Sequence, residues 1–336
     1  MNVRLDTYRN RQQNISSSST IIITVCICLG CWIAGFIHSA GLPFDPGPHA
    51  TSLWNQCSSF LKNKALVIYA GSLLLLFITS AVISRGCYLL LILRNETSLP
   101  FLFFLLFSST NPDTFPLQAS SVALLFLLVS FYKLYCSYQV PLSLAKIYNA
   151  TVSISLGSLL WAYLLWFIPL LWYGLYIFRI SGIRTFFASV LGFFTVYWFV
   201  LAWCVWQHDY SLITDPFKNL ADVEPVLLQN TVQIGRLVPS ILILFIVISV
   251  YITLVDTNAL RTRRYYTFLL TFCIYSFVLA FIYGHSISNL LTLFFIPASI
   301  ILSCSISNKS GFTNYLTYYG ILALFVMLFI VRLWNY

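Results

Sequence analysis

The groups in this chain that could carry chemistry are few, and they lie far apart. His38, Asp45 and His49 share one polar stretch, His38-Ser-Ala-Gly-Leu-Pro-Phe-Asp45-Pro-Gly-Pro-His49. Two imidazoles and a carboxylate beside the exit of an apolar helix offer a general base toward a sugar hydroxyl, or ligands for a divalent cation on a lipid pyrophosphate. Asp45-Pro-Gly-Pro is equally a rigid turn in which the aspartate caps its own backbone. Asp113 stands in Asn111-Pro112-Asp113-Thr114-Phe115-Pro116, between two apolar runs. A carboxylate between half-helices suits a substrate or ion site of the kind built into broken transporter helices, and suits equally a cap on the Thr114 or Phe115 amide. Trp166 belongs with Trp161, Trp172, Trp198, Trp203 and Trp206 to a set expected to form interfacial belts, with sugar stacking as the alternative. Asp209, Asp215, Asp222 and Glu224 fall in the largest polar interval, Gln207 to Arg236, and read as a solvated loop. Cys26-x-Cys28-x-x-Cys31 has no His or acid beside it, so small-residue helix packing explains it better than a metal or thiol centre. There is no P-loop, no Gly-x-Ser-x-Gly elbow, no His-Glu-x-x-His and no zinc spacing, and no cofactor is expected.

Composition says what must position these groups. Of 336 residues 60% are apolar and 8% charged, with a mean hydropathy of +0.87. A soluble domain carries roughly 25% charged residues, so this chain lacks the polar surface to fold in water. It reads as an all-α polytopic membrane bundle of about ten or eleven helices. A soluble enzyme, a coiled coil, a disordered chain and a disulfide-stapled secreted domain are excluded. The net charge of +9 reflects loop bias rather than a nucleic-acid surface.

In hydrocarbon every backbone amide needs an internal partner, so each apolar run must be helical unless protein surrounds it. The runs are Thr20 to Ile37, Ala65 to as far as Leu93, Pro100 to Ser108, Leu117 to Tyr135, Ala150 to Phe178, Thr185 to Val205, Leu237 to Leu254, Tyr265 to Tyr283, Ile287 to Ser305 and Tyr315 to Val331. Nine residues rise only about 14 Å, so Pro100 to Ser108 is a half-span leading into a hairpin. Ala150 to Phe178 is too long for one span and carries Pro169, which predicts two short helices meeting near Trp166 to Pro169. The chain forms one integral-membrane domain, 1–336, made of N-terminal helices and hairpins over 19–205, an outer loop over 206–236 and four helices over 237–336. The first run is read as an uncleaved span rather than a signal peptide.

With the N-terminus cytoplasmic, Arg4, Arg9, Arg11, Arg85, Arg94, Lys133, Lys146, Arg179, Arg184, Arg261, Arg263, Arg264 and Lys309 lie inside. Lys62, Lys64, Lys218, Arg236 and Arg332 then lie outside with most of the acids. That asymmetry follows the positive-inside rule and predicts a multi-pass protein of the inner membrane. Arg85 and Lys133 sit near inner helix ends and are expected to snorkel. Only Cys57 faces outward, so no extracytoplasmic disulfide is expected.

Leu99-Pro100, the short apolar run after it, the Asn111-Pro112 break, the helix ending in Tyr132-Lys133-Leu134-Tyr135, Ser153 to Pro169 and Arg179 to Phe194 together resemble an integral-membrane family of Bacteroidota of unknown function. The resemblance covers about Ala65 to Val205 and implies a membrane helical bundle without a known activity. More distantly, the first helix, outer loop and short paired helices are similar in layout to multispanning glycosyltransferases that use polyprenyl-phosphate sugars. That likeness implies a catalytic acid in the first outer loop, which Asp45 answers; the companion acid and large soluble C-terminal domain common in that group are missing. Three functions follow as expectations: a scaffold or assembly subunit of a cell-envelope complex, touching lipid and other membrane subunits; a transferase acting on polyprenyl-linked glycan through Asp45, with His38, His49, Asp113 and Trp166 near the substrate; or a transporter.

Overall fold

Helix is the only regular structure among the described residues, as hydrocarbon demands of an apolar chain. The computed structural model describes residues 18–39, 51–60, 64–90, 92–93, 97–138, 140, 143–226, 231–257, 260–308, 320–322, 325–326 and 329. The elements are α1 (Ser18–Ser39), α2 (Ser52–Ser59), α3 (Ala65–Leu89), α4 (Leu99–Ser108), α5 (Ala119–Tyr135), α6 (Leu144–Ser158), α7 (Phe167–Ile177), α8 (Ile183–Gln207), α9 (Ser211–Ala221), α10 (Thr231–Thr257), α11 (Leu260–Ile282) and α12 (Ile287–Asn308). Among the described residues six helices are long and apolar enough to cross a membrane: those over Thr20–Ile37, Ala65–Leu89, Ile183–Gln207, Gly235–Val255, Leu260–Ile282 and Gly284–Ser307. The chain is a multi-pass membrane protein in contact with lipid.

Burial sorts centre from periphery. The apolar window of α12 is 83% buried, against 28% for α1, α3, α8 and α10. Helix α4 buries nearly its whole surface although it is only 10 residues long. Both α4 and α12 therefore form the centre, and the four sparsely buried helices present apolar faces outward.

Two hairpins of short helices fill the interior. The first is α4 and α5. Pro100 opens α4, where its missing N–H is not needed. At the other end Ser109 Oγ donates to the Leu105 carbonyl (2.7 Å) and Thr110 Oγ1 to that of Phe107 (2.8 Å), satisfying acceptors that the helix leaves open. Pro112 blocks continuation, a 3-10 turn runs over Pro112–Thr114, and α5 returns. Lys146 Nζ donates to the Cys136 carbonyl (2.8 Å), placing a cation at the C-terminus of α5.

The second hairpin is α6 and α7. Helix α6 starts at Leu144 rather than Ala150, and the break runs from Leu159 through a 3-10 turn at Ala162–Trp166. It therefore precedes the expected meeting point near Trp166 to Pro169. The reason is local: Pro169 lies in the first turn of α7, where its ring and missing N–H are tolerated, so it begins a helix instead of ending one. Gly157 permits the turn, because a Cβ there would collide with Leu164 and come 3.0 Å from Phe126 Cβ. Gly192 plays the same part between helices: a Cβ would lie 2.7 Å from the Tyr148 carbonyl and against Thr151, so α6 and α8 pack backbone to backbone.

Both hairpins open toward the same end of the bundle. Around Tyr138 gather Arg261 and Arg264 (guanidinium carbons 5.7 and 5.8 Å from the ring centre) and Phe178. Lys146 lies beside them, and the Tyr266 hydroxyl reaches the Ile92 carbonyl (3.4 Å). This is the basic end. Helix α3 stops at Leu89, with Leu90 N–H on the Gly86 carbonyl and Ile92 N–H on that of Cys87, so it does not run on to Leu93. At the opposite end, the interval expected as an outer loop contains α9, and α10 begins at Thr231, which moves Arg236 from loop to helix. Of the span expected over Tyr315 to Val331, the described residues are helical, and Phe325 stacks on Phe107 at 4.6 Å.

Candidate functional site

The two hairpin apices lie at the end opposite the basic one, and each is closed by the protein's own side chains. At the first apex Asp113 is met by two residues distant in sequence. Arg236 Nη2, early in α10, lies 2.7 Å from Asp113 Oδ2. Ser288 Oγ, at the start of α12, donates to the same oxygen at 2.8 Å. The Asp113 side chain is 19% exposed and that of Arg236 23%, so the pair sits largely out of solvent, where a lone charge costs several kcal/mol. The backbone of the break is held as well. Gln118 Nε2 donates to the Asp113 carbonyl (2.8 Å), Thr114 N–H to that of Asn111 (3.1 Å), and Ser72 Oγ of α3 to that of Thr114 (3.4 Å). Trp32 of α1 stacks on Phe115 at 4.4 Å, and Phe329 approaches the other side at 6.3 Å.

Asp113 thus does not cap its own turn. It ties the α4–α5 hairpin to α10 by charge and to α12 by a hydrogen bond. Beneath it, a cavity of about 30 Å³ has a mainly apolar lining that includes Trp32, Leu76 and Phe104, with Ser72, Ser108 and Asn289 among its polar groups. It has room for about two waters.

The second apex is closed by hydrogen bonds instead. Thr51 Oγ1, just before α2, donates to the carbonyls of Leu159 (2.5 Å) and Leu160 (3.1 Å), acceptors that α6 leaves open. The Trp166 indole N–H donates to the Tyr283 hydroxyl (3.0 Å), which donates to the Leu220 carbonyl of α9 (2.8 Å). The Trp166 carbonyl accepts from Tyr275 (2.6 Å). A chain of hydrogen bonds therefore runs from hairpin apex to outer helix. Trp166 is 38% exposed, and its N–H is engaged. Trp161 departs from the expected interfacial belt: it is 1% exposed and packs edge-on against Tyr163. Trp198, Trp203 and Trp206 are exposed. Next to this apex Glu224 pairs with His285, and Gly284 N–H donates to the Glu224 carbonyl (2.8 Å). At the start of α9 the Asp209 carboxyl is held below its ordinary value, first by the Ser211 backbone N–H (2.9 Å) and then by the Ser211 hydroxyl (3.1 Å).

Asp45 and His49, and the side chain of His38, lie outside the described residues. Asp113 and Trp166 occupy separate apices and share no contact. The partners that sequence reasoning missed are Arg236, Ser288, Tyr275 and Tyr283. A signal for the first was present: a single arginine at the start of an apolar run, in a chain with so few charges, calls for a counter-charge, and Asp113 is a single acid in another run. Among the described residues no three His, Cys, Asp or Glu side chains gather to hold a metal. Compared with family models, with curated proteins and with solved structures, the chain has no match.

Proposed function

We propose that this chain is an integral-membrane scaffold or assembly subunit of a cell-envelope complex, placed in the inner membrane with its N-terminus cytoplasmic and its basic end inward. The observation that carries the reading is the closure of the first apex. The broken helix that in a transporter would present polar groups to cargo here has its one carboxylate consumed by Arg236 and Ser288, and the cavity below holds only water-sized space. Charge and hydrogen bonding are spent on fixing helices to one another, which is what a platform for other subunits needs. The gathering of Lys146, Arg261 and Arg264 at one end supports the orientation.

One observation favours a second reading, a transferase for polyprenyl-linked glycan at the outer face. Thr51 is hydrogen-bonded to the second apex, and Asp45 lies six residues before it in the sequence, within about 20 Å along the chain. Complementation of the envelope defect caused by loss of the gene separates the two. A scaffold carrying Asp45→Asn complements fully at normal abundance, since asparagine serves the turn. A transferase using Asp45 as base loses about 10²- to 10⁴-fold in rate and fails.

A further inference from the structure

A groove of about 380 Å³ lies at the basic end, between the C-terminal halves of α3 and α5, with Leu269 and Phe272 of α11 and Ile296 and Ile300 of α12 at its base. Those four residues are buried, whereas Val82 and Val129 on the two walls are exposed. In a membrane such a groove opens sideways into hydrocarbon, not upward into water. Its lining is apolar with two exceptions that matter, Arg85 and Lys133.

Height decides what those cations can meet. From Ala65 at the start of α3 to Arg85 is 20 residues, a rise of about 30 Å, which is the thickness of the hydrocarbon core. Arg85 therefore reaches the far interface when Ala65 lies at the near one. Lys133 falls in the last turn of α5, on the opposite wall of the same groove. Arg85 packs its guanidinium over Tyr88, 5.5 Å from the ring centre. An apolar trough open to the bilayer, with a cation on each wall at headgroup depth, matches one molecule in both halves: a lipid with an acyl chain and a net negative phosphate head.

We propose that this groove binds an anionic phospholipid of the basic-side leaflet, its acyl chain lying along α3 and α5 and its phosphate between Arg85 and Lys133. The proposal is independent of the scaffold reading, because it rests on other residues at the other end of the bundle. A free anion would gain nothing from the apolar trough. A second copy of the chain would have to bury both cations against a face of matching negative charge, and the basic end is where positive charge collects.

The test uses the full-length purified chain, with native mass spectrometry and thermal unfolding in detergent titrated with phosphatidylglycerol, phosphatidylcholine or inorganic phosphate. A basic residue near an anionic surface contributes about 1 kcal/mol, or about fivefold, so the pair predicts about 25-fold preference for phosphatidylglycerol over phosphatidylcholine. Arg85→Gln with Lys133→Gln should bring that preference close to one while leaving apolar binding in place. Gly86→Phe should exclude both lipids, since Gly86 lines the groove and a Cβ there meets no atom within 4 Å; losing a helix glycine also favours the helix. If Gly86→Phe does not fold, the wild-type preference and its loss in the double variant decide alone. Equal retention of the two lipids by the wild type, a preference unchanged in the double variant, inorganic phosphate competing as well as the lipid, or a lipid-free dimer dispersed by the groove substitutions would each overturn the proposal.

Discussion

Neutralising Asp113 while keeping its shape, by Asp113→Asn, leaves the Arg236 guanidinium in a largely buried position facing an amide. Charge centres about 4 Å apart attract by about 4 kcal/mol at an effective dielectric near 20. Desolvation of both groups offsets part of this, and removing one member of a fully buried pair costs roughly 3–5 kcal/mol. With the two side chains 19% and 23% exposed, solvent screening brings the expected loss to about 2–3 kcal/mol. Arg236→Gln should cost a similar amount. The double variant should cost less than the sum by about 1.5–2 kcal/mol, because both single changes remove the same charge pair. Ser288→Ala, which deletes one hydrogen bond to the carboxylate, should cost about 1 kcal/mol. The assay is reversible unfolding of the purified chain in mixed micelles, run as a double-mutant cycle. A coupling below about 0.3 kcal/mol between Asp113 and Arg236 would refute the view that this pair fixes the α4–α5 hairpin to α10.

Gly192→Leu should destabilise the chain by about 1–3 kcal/mol, since the added side chain meets the Tyr148 carbonyl and Thr151; the same unfolding assay reads it, and a neutral result would show that α6 and α8 can separate at no cost. Because the Asp209 carboxyl is held below its ordinary value by Ser211, its contribution to ordering the start of α9 is present above the usual carboxylate pKa of about 3.9 and is lost as pH falls through the depressed value. Amide exchange at the start of α9 should rise in that acidic window, and Asp209→Asn should remove the pH step. Single cysteines in a cysteine-depleted background should label from outside at residue 222 and from inside at residue 262; labelling at 222 only after permeabilisation would reverse the assigned orientation.

The helical class was legible because the solvent imposes it: with so few charges, apolar runs have no alternative to helix. Both hairpins were legible for a related reason, since Pro100, Pro112 and Pro169 interrupt runs of the wrong length for a single span. The exact site of the second break was not, because a proline marks the start of a helix as readily as its end, and the close approaches at Gly157 and Leu164 that settle it are contacts across the turn. Asp113 could be picked out as a single acid between half-helices, yet its role could not, because its partners sit 123 and 175 residues away and polarity alone assigned Arg236 to a loop. The burial of Trp161 escaped for a similar reason. Tryptophan frequency predicts interfaces on average, while the position of one indole depends on the turn that carries it.

The central claim, that this is a platform for other membrane subunits, is tested most directly by native mass spectrometry of the chain released from its own membranes in mild detergent. The account predicts a mass containing at least one other integral-membrane protein in fixed ratio, retained when Asp45 is changed to Asn and lost when the Asp113–Arg236 pair is broken. A lone chain carrying polyprenyl-linked glycan, with that cargo depending on Asp45, would contradict it.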